Sequence, residues 1–220
     1  MNTTNDAMDE VRRGRPAKLT PEKIIHTALL IADAEGLDAV SMRRLARELE
    51  VSPMALYGYF EAKRDLVRGM LDEVSRGLGP QDTSTGEWPD LLAEMGRRVR
   101  ATITAHPGLA QLFVTAPALG GRAMHVVDDM VALLRRQGVS GEMAVRVVYA
   151  VMAYSIGFAA QEVPRQQRQG GADARRKALE SLPSDRFPNM VELAEFAAGF
   201  ASDEQFESGL TALIAGYRGI

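Results

Sequence analysis

The sequence predicts an all-α protein in two parts, a three-helix helix-turn-helix unit followed by a larger helical domain. Apolar residues recur at helical spacing from residue 20 to residue 217, with no strand-like alternation and no internal repeat. Two helix starts, Ser41 and Ser52-Pro53, stand so close together that a tight turn must join the helices they open. The stretch SRGLGPQDTSTGEWPD then breaks the pattern with Gly, Pro, Ser and Thr and marks a connection between domains. The expected organisation is a flexible basic arm over 1–18, a first domain over 19–71 and a second over 72–220.

Thr20-Pro21 opens the first helix, because the Thr side chain accepts backbone N–H bonds and Pro is harmless at the first helical position. Ile24, Ile25, Ala28, Leu29 and Ala32 repeat along it until Gly36 stops it. Ser41 opens the second helix, where Met42, Leu45, Ala46 and Leu49 form one apolar stripe and Arg43, Arg44 and Arg47 lie off it. Val51 closes that helix. In the short third helix, Leu56 and Phe60 are the buried pair, which leaves Met54, Ala55, Tyr57, Gly58 and Tyr59 facing outward or sideways.

Helices are expected over residues 91–106, toward Pro117, over 122–137 and over 142–161, the last being the most apolar. Residues 164–188 hold Gly170-Gly171 and three prolines and read as a loop with one helical turn at most. Two last helices, 189–200 and 203–217, complete the second domain.

Composition narrows the function. With 220 residues, 46% of them hydrophobic and 25% charged, the chain can bury a sizeable core and is neither disordered nor collagen-like. It has no cysteine, which excludes disulfides, thiol nucleophiles, iron–sulfur clusters and Cys-based zinc sites. Asp6, Asp9 and Glu10 replace the basic start of a secretory leader, and the longest charge-free apolar stretch, 147–160, is shorter than the roughly 20 residues that span a bilayer. A cytoplasmic protein is expected. His26, His106 and His125 lie apart, and no HExxH, GxSxG, GxGxxG or phosphate-loop pattern occurs, so an enzyme is not expected. No cofactor and no metal ion are expected either.

The net charge of −3 conceals an asymmetry: residues 11–70 hold eleven Lys and Arg against eight Asp and Glu, with Arg12, Arg13, Arg15 and Lys18 crowded together. On charge alone this is either a footprint for phosphates or a solvated arm. A tight helix pair is equally open to a structural or a groove-reading role.

The segment IIHTALLIADAEGLDAVSMRRLARELEVSPMALYGYFEAKRDLVRGML decides more, through Leu45-Ala46, Val51-Ser52, Ala55-Leu56-Tyr57, Tyr59-Phe60 and Lys63 with Leu66. It resembles the DNA-binding domain of the TetR family of bacterial transcriptional regulators. The resemblance implies that Arg43 touches a guanine, where bidentate contact to O6 and N7 suits Arg. It places Ser52, Met54 and Ala55 at the start of the recognition helix, the last two offering only apolar contact. Tyr57, Tyr59 and Lys63 fall at backbone-contacting positions, although for Lys63 a merely solvated charge is the other reading. Arg13-Gly14-Arg15-Pro16 resembles the core of an AT-hook, a segment that lies in narrow minor grooves.

The segment FESGLTALIAGYR is similar to the end of the tetracycline-repressor branch, whose second domain is both ligand chamber and dimer interface. The stripe Phe206, Leu210, Leu213, Ile214 and Tyr217 is then expected in a homodimer interface with helix 142–161, or else packed within its own domain. Candidate ligand contacts are Met95, His106, Phe113, Met124, His125, Met130, Tyr149, Met152, Tyr154 and Phe158, each of which could equally be ordinary core. Phe113 falls where the tetracycline repressor has a magnesium-ligating histidine, and Gln161 lies near its carboxylate partner, so a largely apolar effector is expected instead of a metal-chelated tetracycline. The implied function is a ligand-responsive repressor that binds a palindromic DNA operator as a homodimer and is released by a small molecule. A constitutive DNA-binding regulator without a ligand is the alternative.

Overall fold

The computed structural model describes residues 19–79, 86–115, 121–166 and 170–218. Among them there is no strand, and the order of elements is helical throughout. Helix α1 is Pro21–Glu35, with the Lys23 N–H donating to Thr20 Oγ1 at 3.3 Å and Gly36 ending it at φ +87°. Helix α2 is Met42–Glu48 and helix α3 is Pro53–Tyr57. Ser41 Oγ accepts from the Arg44 N–H at 3.1 Å, and Ser52 Oγ from the Ala55 N–H at 3.3 Å. Each cap of this kind stabilises a helix start by about 1 kcal/mol, which is why such short helices can form here. The Val51 N–H donates to Ala46 O at 2.9 Å and closes the turn between α2 and α3.

Helix α4, Lys63–Val74, follows Ala62, whose N–H donates to Asp65 Oδ2 at 3.1 Å. It runs past residue 71, where the sequence placed the end of the first domain. Ile24, Ala28, Leu45, Leu56, Leu66 and Met70 are fully buried at the centre of this domain.

The second domain contains α5 (Trp88–Ala105), α6 (Ala110–Thr115), α7 (Gly121–Arg136), α8 (Gly141–Gln166), α9 (Gly171–Glu180), α10 (Pro188–Glu192), α11 (Ala194–Ala198) and α12 (Asp203–Arg218). Its core is built where α5, α7, α8 and α12 meet, with Leu92, Met95, Ile103, Leu134, Val147, Val151 and Phe206 inaccessible or nearly so. Helix α8 extends beyond the expected end at 161 and carries Pro164 close to its C-terminal end, where the ring displaces only one late backbone bond. The expected loop 164–188 contains the ten-residue α9. Its Ala, Arg, Lys and Leu favour a helix, but none of its residues is fully buried, so the apolar period that announces a helix is missing. The single helix expected over 189–200 is divided at Leu193 into α10 and α11.

Candidate nucleic-acid interface and ligand groove

Helix α3 is anchored from one side only. Leu56 is fully buried and Phe60, just beyond the helix, nearly so, while Met54 is 76% exposed and Tyr57 and Tyr59 are 46% and 44% exposed. Ala55 is half-buried and Ser52 is exposed while it caps the helix. A Cβ at Gly58 would find nothing nearer than Ala55 O at 3.6 Å, so the surface there is shallow because glycine leaves it so.

The adjacent arginines of α2 are divided between two tasks. Arg43 is exposed and forms no ion pair with a carboxylate among the described residues. Arg44 turns back to the domain, with Nη2 2.7 Å from Glu35 Oε1 of α1 and Nη1 2.5 Å from Glu48 Oε2 one turn further on. Its hydrogen bond holds the Glu35 carboxyl below the ordinary carboxylate range, and the two carboxylates push the guanidinium further up. The i,i+4 placement of Glu48 was the signal in the sequence that Arg44 is the one engaged. Tyr59 donates its hydroxyl hydrogen to Leu19 O at 2.9 Å, and Lys63 Nζ donates to Leu37 O at 3.3 Å. Both side chains are thereby fixed at one atom and remain exposed at the surface that α3 presents. Arg13 and Arg15 lie outside the described residues.

Among the contacts that join the first domain to the second are one at the end of α1 and one at the end of α4. The turn Pro107–Leu109 docks on the end of α1, inserting Leu109 fully into the first domain's core. His106 Nδ1 lies 2.8 Å from Asp33 Oδ2 beside it. A Cβ at Gly108 would stand 2.0 Å from Ala32 O, so the backbones touch and only glycine fits. At the other contact, Asp72 of α4 accepts the Arg122 N–H in the first turn of α7 at 2.8 Å.

Beside that second contact, a cavity of about 370 Å³ opens between the turn after α4 and α7. Val126, Met130 and Leu133 form its apolar floor, with Gly79 against Val126, and Arg76, Arg122 and Arg136 stand around it with His125 and Asp129. Two outward tyrosines and an arginine unpaired with any carboxylate among the described residues thus stand on a helix-turn-helix whose core takes in Leu109 of the second domain.

Comparison with known proteins agrees. Residues 24–70 match the family described as bacterial regulatory proteins, tetR family, and residues 79–219 match the tetracyclin repressor-like C-terminal domain. The chain belongs to the TetR family. It is 34% identical to the HTH-type transcriptional repressor DrrR1 of Streptomyces coeruleorubidus, across 94% of this chain and 83% of that one. It is 28% identical to the class A tetracycline repressor protein of transposon 1721 from Escherichia coli, across 90% of each chain. The crystal structure of the Streptomyces coelicolor TetR family protein ActR in complex with actinorhodin superposes with a TM-score of 0.78 at 35% identity, covering 92% of this chain and 97% of that one. As a TetR family member the protein is a DNA-binding transcriptional regulator of the ligand-responsive repressor type.

Within this TetR family chain the expected ligand residues scatter. Only His125 and Met130 line the cavity at α7. Met95 is core, fully buried among α5, α8 and α12, and Phe158 is buried with it. Tyr154 is half-buried, stacked on Phe206 with ring centres 5.5 Å apart, and donates to Phe206 O at 3.0 Å. Met124 and Met152 pack half-buried against the same core. His106 is committed to Asp33, Phe113 packs against the cores of both domains, and Tyr149 is 43% exposed on the outer side of α8. Gln161 is exposed, whereas its neighbour Glu162 is buried and paired with Arg100 at 2.7 Å. The selection by residue type favoured methionines and aromatics, which are what a core also uses. The cavity at α7 is also lined by Arg76, Arg122 and Arg136, and Arg122, Asp129 and Arg136 share one helical face with His125.

The stripe of α12 is corrected in the same way. Phe206, Leu210 and Ile214 are buried against α5 and α8 of their own chain, and Leu213 and Tyr217 are half-buried against that core. An amphipathic helix announces a covered face, and here its own domain covers it. Apolar side chains stay open on the outer side of α8, with Val145 and Tyr149 each 43% exposed, and around α11, with Leu193 52% and Phe196 77% exposed. Only 39% of the most apolar window of α8 is buried.

Proposed function

We propose that this regulator binds a palindromic operator as a homodimer and is released by a small molecule lodged between α4 and α7. The observation that carries the reading is the uncovered face of α3, where Met54 and Tyr57 are exposed on a helix whose other side is fixed in a core and Tyr59 is exposed just beyond its end. Arg43 reads a guanine, while Met54 and Ala55 give apolar contact to a base such as a thymine methyl. Ser52, Tyr57 and Lys63 hold the sugar–phosphate backbone, Tyr59, whose hydroxyl hydrogen goes to Leu19 O, meets it through its ring, and Arg13 and Arg15 reach an adjacent minor groove.

The outer face of α8 supports a two-fold dimer, since Val145 and Tyr149 lie on a helix more apolar than its burial within the chain requires. Two recognition helices then face half-sites one or more helical turns apart. The cavity at α7 is lined by Arg76 and Gly79 of the turn that directly follows α4, the helix that starts beside α3, so a ligand there can favour the DNA-incompetent arrangement by binding it more tightly. The ActR complexes with actinorhodin and (S)-DNPA support a small-molecule effector for this chain as well. The same reading makes the protein a cytoplasmic regulator and not an enzyme, since its target is DNA and its chamber serves release.

The test is selection of binding sites from a random duplex library by the full-length protein at near-physiological salt. A palindromic consensus is expected. Absence of enrichment over random DNA would overturn the reading and leave the helix pair a structural element.

A further inference from the structure

We propose that Tyr59 is a positioning residue for the basic arm: its hydroxyl fixes where and in which direction the chain leaves the first domain toward Arg15 and Arg13, and so which minor groove they enter. This rests on the reading of those two arginines as minor-groove contacts and assigns the group that aims them. Tyr59 stands two residues beyond α3, with its own N–H donating to Leu56 O at 3.0 Å, and Leu56 is fully buried. Its hydroxyl crosses 40 positions of sequence to donate to Leu19 O at 2.9 Å. A tyrosine has one hydroxyl hydrogen, so the one that Tyr59 gives to Leu19 is not there for a phosphate oxygen.

Leu19 is held on two sides. Its side chain packs against the core that contains Leu56 and Phe60, its carbonyl is held by Tyr59, and the next residue, Thr20, caps α1. With the side chain and the carbonyl of a tetrahedral Cα both fixed, the remaining backbone bond, to the amide nitrogen, has one direction left. The chain toward Lys18 therefore leaves from beside the end of α3. Arg15 lies four residues from Leu19 and Arg13 six, a reach of at most about 14 and about 21 Å at about 3.5 Å per residue. A recognition helix fills a major groove about 12 Å wide with a minor groove beyond each bordering strand, so both arginines can arrive there. Without the hydroxyl only the Leu19 side chain directs the arm, and the arginines approach a groove about 6 Å wide from a broader range of angles.

The probe is a palindromic duplex recovered from the random library, with an A/T run or a G/C run placed on both flanks. The unaltered protein is expected to bind the A/T-flanked duplex at least about fivefold more tightly, the low end of what one unfavourable base pair costs. In Tyr59→Phe, which keeps the ring and removes the tether, that ratio should fall to within about twofold. Any loss common to both duplexes cancels in the ratio. Because the chain has no cysteine, Ala17→Cys carries a single iron–EDTA cleavage label on the arm. With Tyr59 in place, cleavage should be confined to a few base pairs of one flanking minor groove per half-site, and in Ala17→Cys/Tyr59→Phe it should spread. A ratio or a cleavage pattern unchanged by Tyr59→Phe would overturn the tether. Neither flank preference nor flank cleavage with Tyr59 in place would overturn the minor-groove role of the arm, and the tether with it, while the palindromic consensus stands.

Discussion

His106 and Asp33 meet across the junction of the two domains, with Nδ1 2.8 Å from Oδ2, and hold Leu109 where it completes the other domain's core. The contact is made of backbone as well as side chain, since Gly108 lets the turn touch Ala32. Such a joint transmits a displacement of α5 to α1 with little slack, because a packed core is displaced as a unit.

Leu109→Ala should therefore weaken the first domain, although residue 109 lies beyond it in sequence. A buried Leu→Ala change costs about 3 kcal/mol. In scanning calorimetry the unaltered protein is expected to melt in one transition. In the variant a lower-melting transition of the helix-turn-helix domain should separate. A single transition shifted as a whole would show that the domains do not unfold independently even without this contact.

Arg43 and Arg44 are neighbours with opposite expected phenotypes. Arg43→Ala should leave the melting temperature unchanged and relax preference at one base position by about 1 to 3 kcal/mol. Arg44→Ala removes the bridge from α2 to Glu35 of α1 and should lower the melting temperature and weaken binding on all sequences alike. Melting curves and selection from a mutated-operator library check both. An Arg44→Ala protein of normal stability would refute the bridging role.

What the sequence disclosed follows from which interactions are local. Thr20, Ser41, Ser52 and Gly36 act on backbone within four residues, so the first domain's helices could be placed closely. The exposure of Met54, Tyr57 and Tyr59 followed from Leu56 and Phe60 at i,i+4. By contrast, nothing in the order of residues places Leu109 in another domain's core or brings Asp33 to His106. The stripe of α12 showed that a face is covered and not by what, and burial of Phe206 in its own chain is a tertiary fact. The groove at α7 was not legible because the long arginines at its rim read in sequence as a solvated face.

Acid should weaken the fold through Glu35 and Glu207. The hydrogen bond from Arg44 holds the first, and that from Arg97 the second, below the ordinary carboxyl value of 4.5. A carboxyl whose folded value is depressed contributes stability above its unfolded value and loses it as pH falls through the folded one. Urea midpoints should thus be flat near neutrality and drop below about pH 4.5. Glu35→Gln should lower the midpoint at pH 7 and make the acid limb shallower, and an unchanged limb would assign the loss elsewhere.

Arg100 forms the centre of the second domain's polar network. It pairs with buried Glu162 through two hydrogen bonds of 2.7 and 2.9 Å, reaches Asp203 at 2.7 Å, and lies 4.7 Å from the centre of the Phe206 ring. Glu162→Leu leaves that cation half enclosed and should cost about 3 kcal/mol, whereas Arg100→Met/Glu162→Leu should recover much of the loss. Thermal melts of the single and double variants measure this. A double variant no more stable than the single would show that Arg100 acts chiefly by packing on Phe158 and Phe206.

The dimer proposal separates two kinds of apolar residue on the outer helices. Tyr149 lies open on α8, so Tyr149→Asp should leave the subunit folded, shift it to monomer in sedimentation and weaken operator binding. Leu210 lies inside, so Leu210→Ala should lower the melting temperature, at a cost of about 3 kcal/mol, with the dimer retained. The opposite pattern, a dimer indifferent to Tyr149 and broken by Leu210→Ala at temperatures where the subunit stays folded, would move the interface back to the stripe of α12. Because a lone recognition helix gives up the contacts of the second half-site, the Tyr149→Asp protein should also lose its palindromic preference before it loses all affinity for DNA.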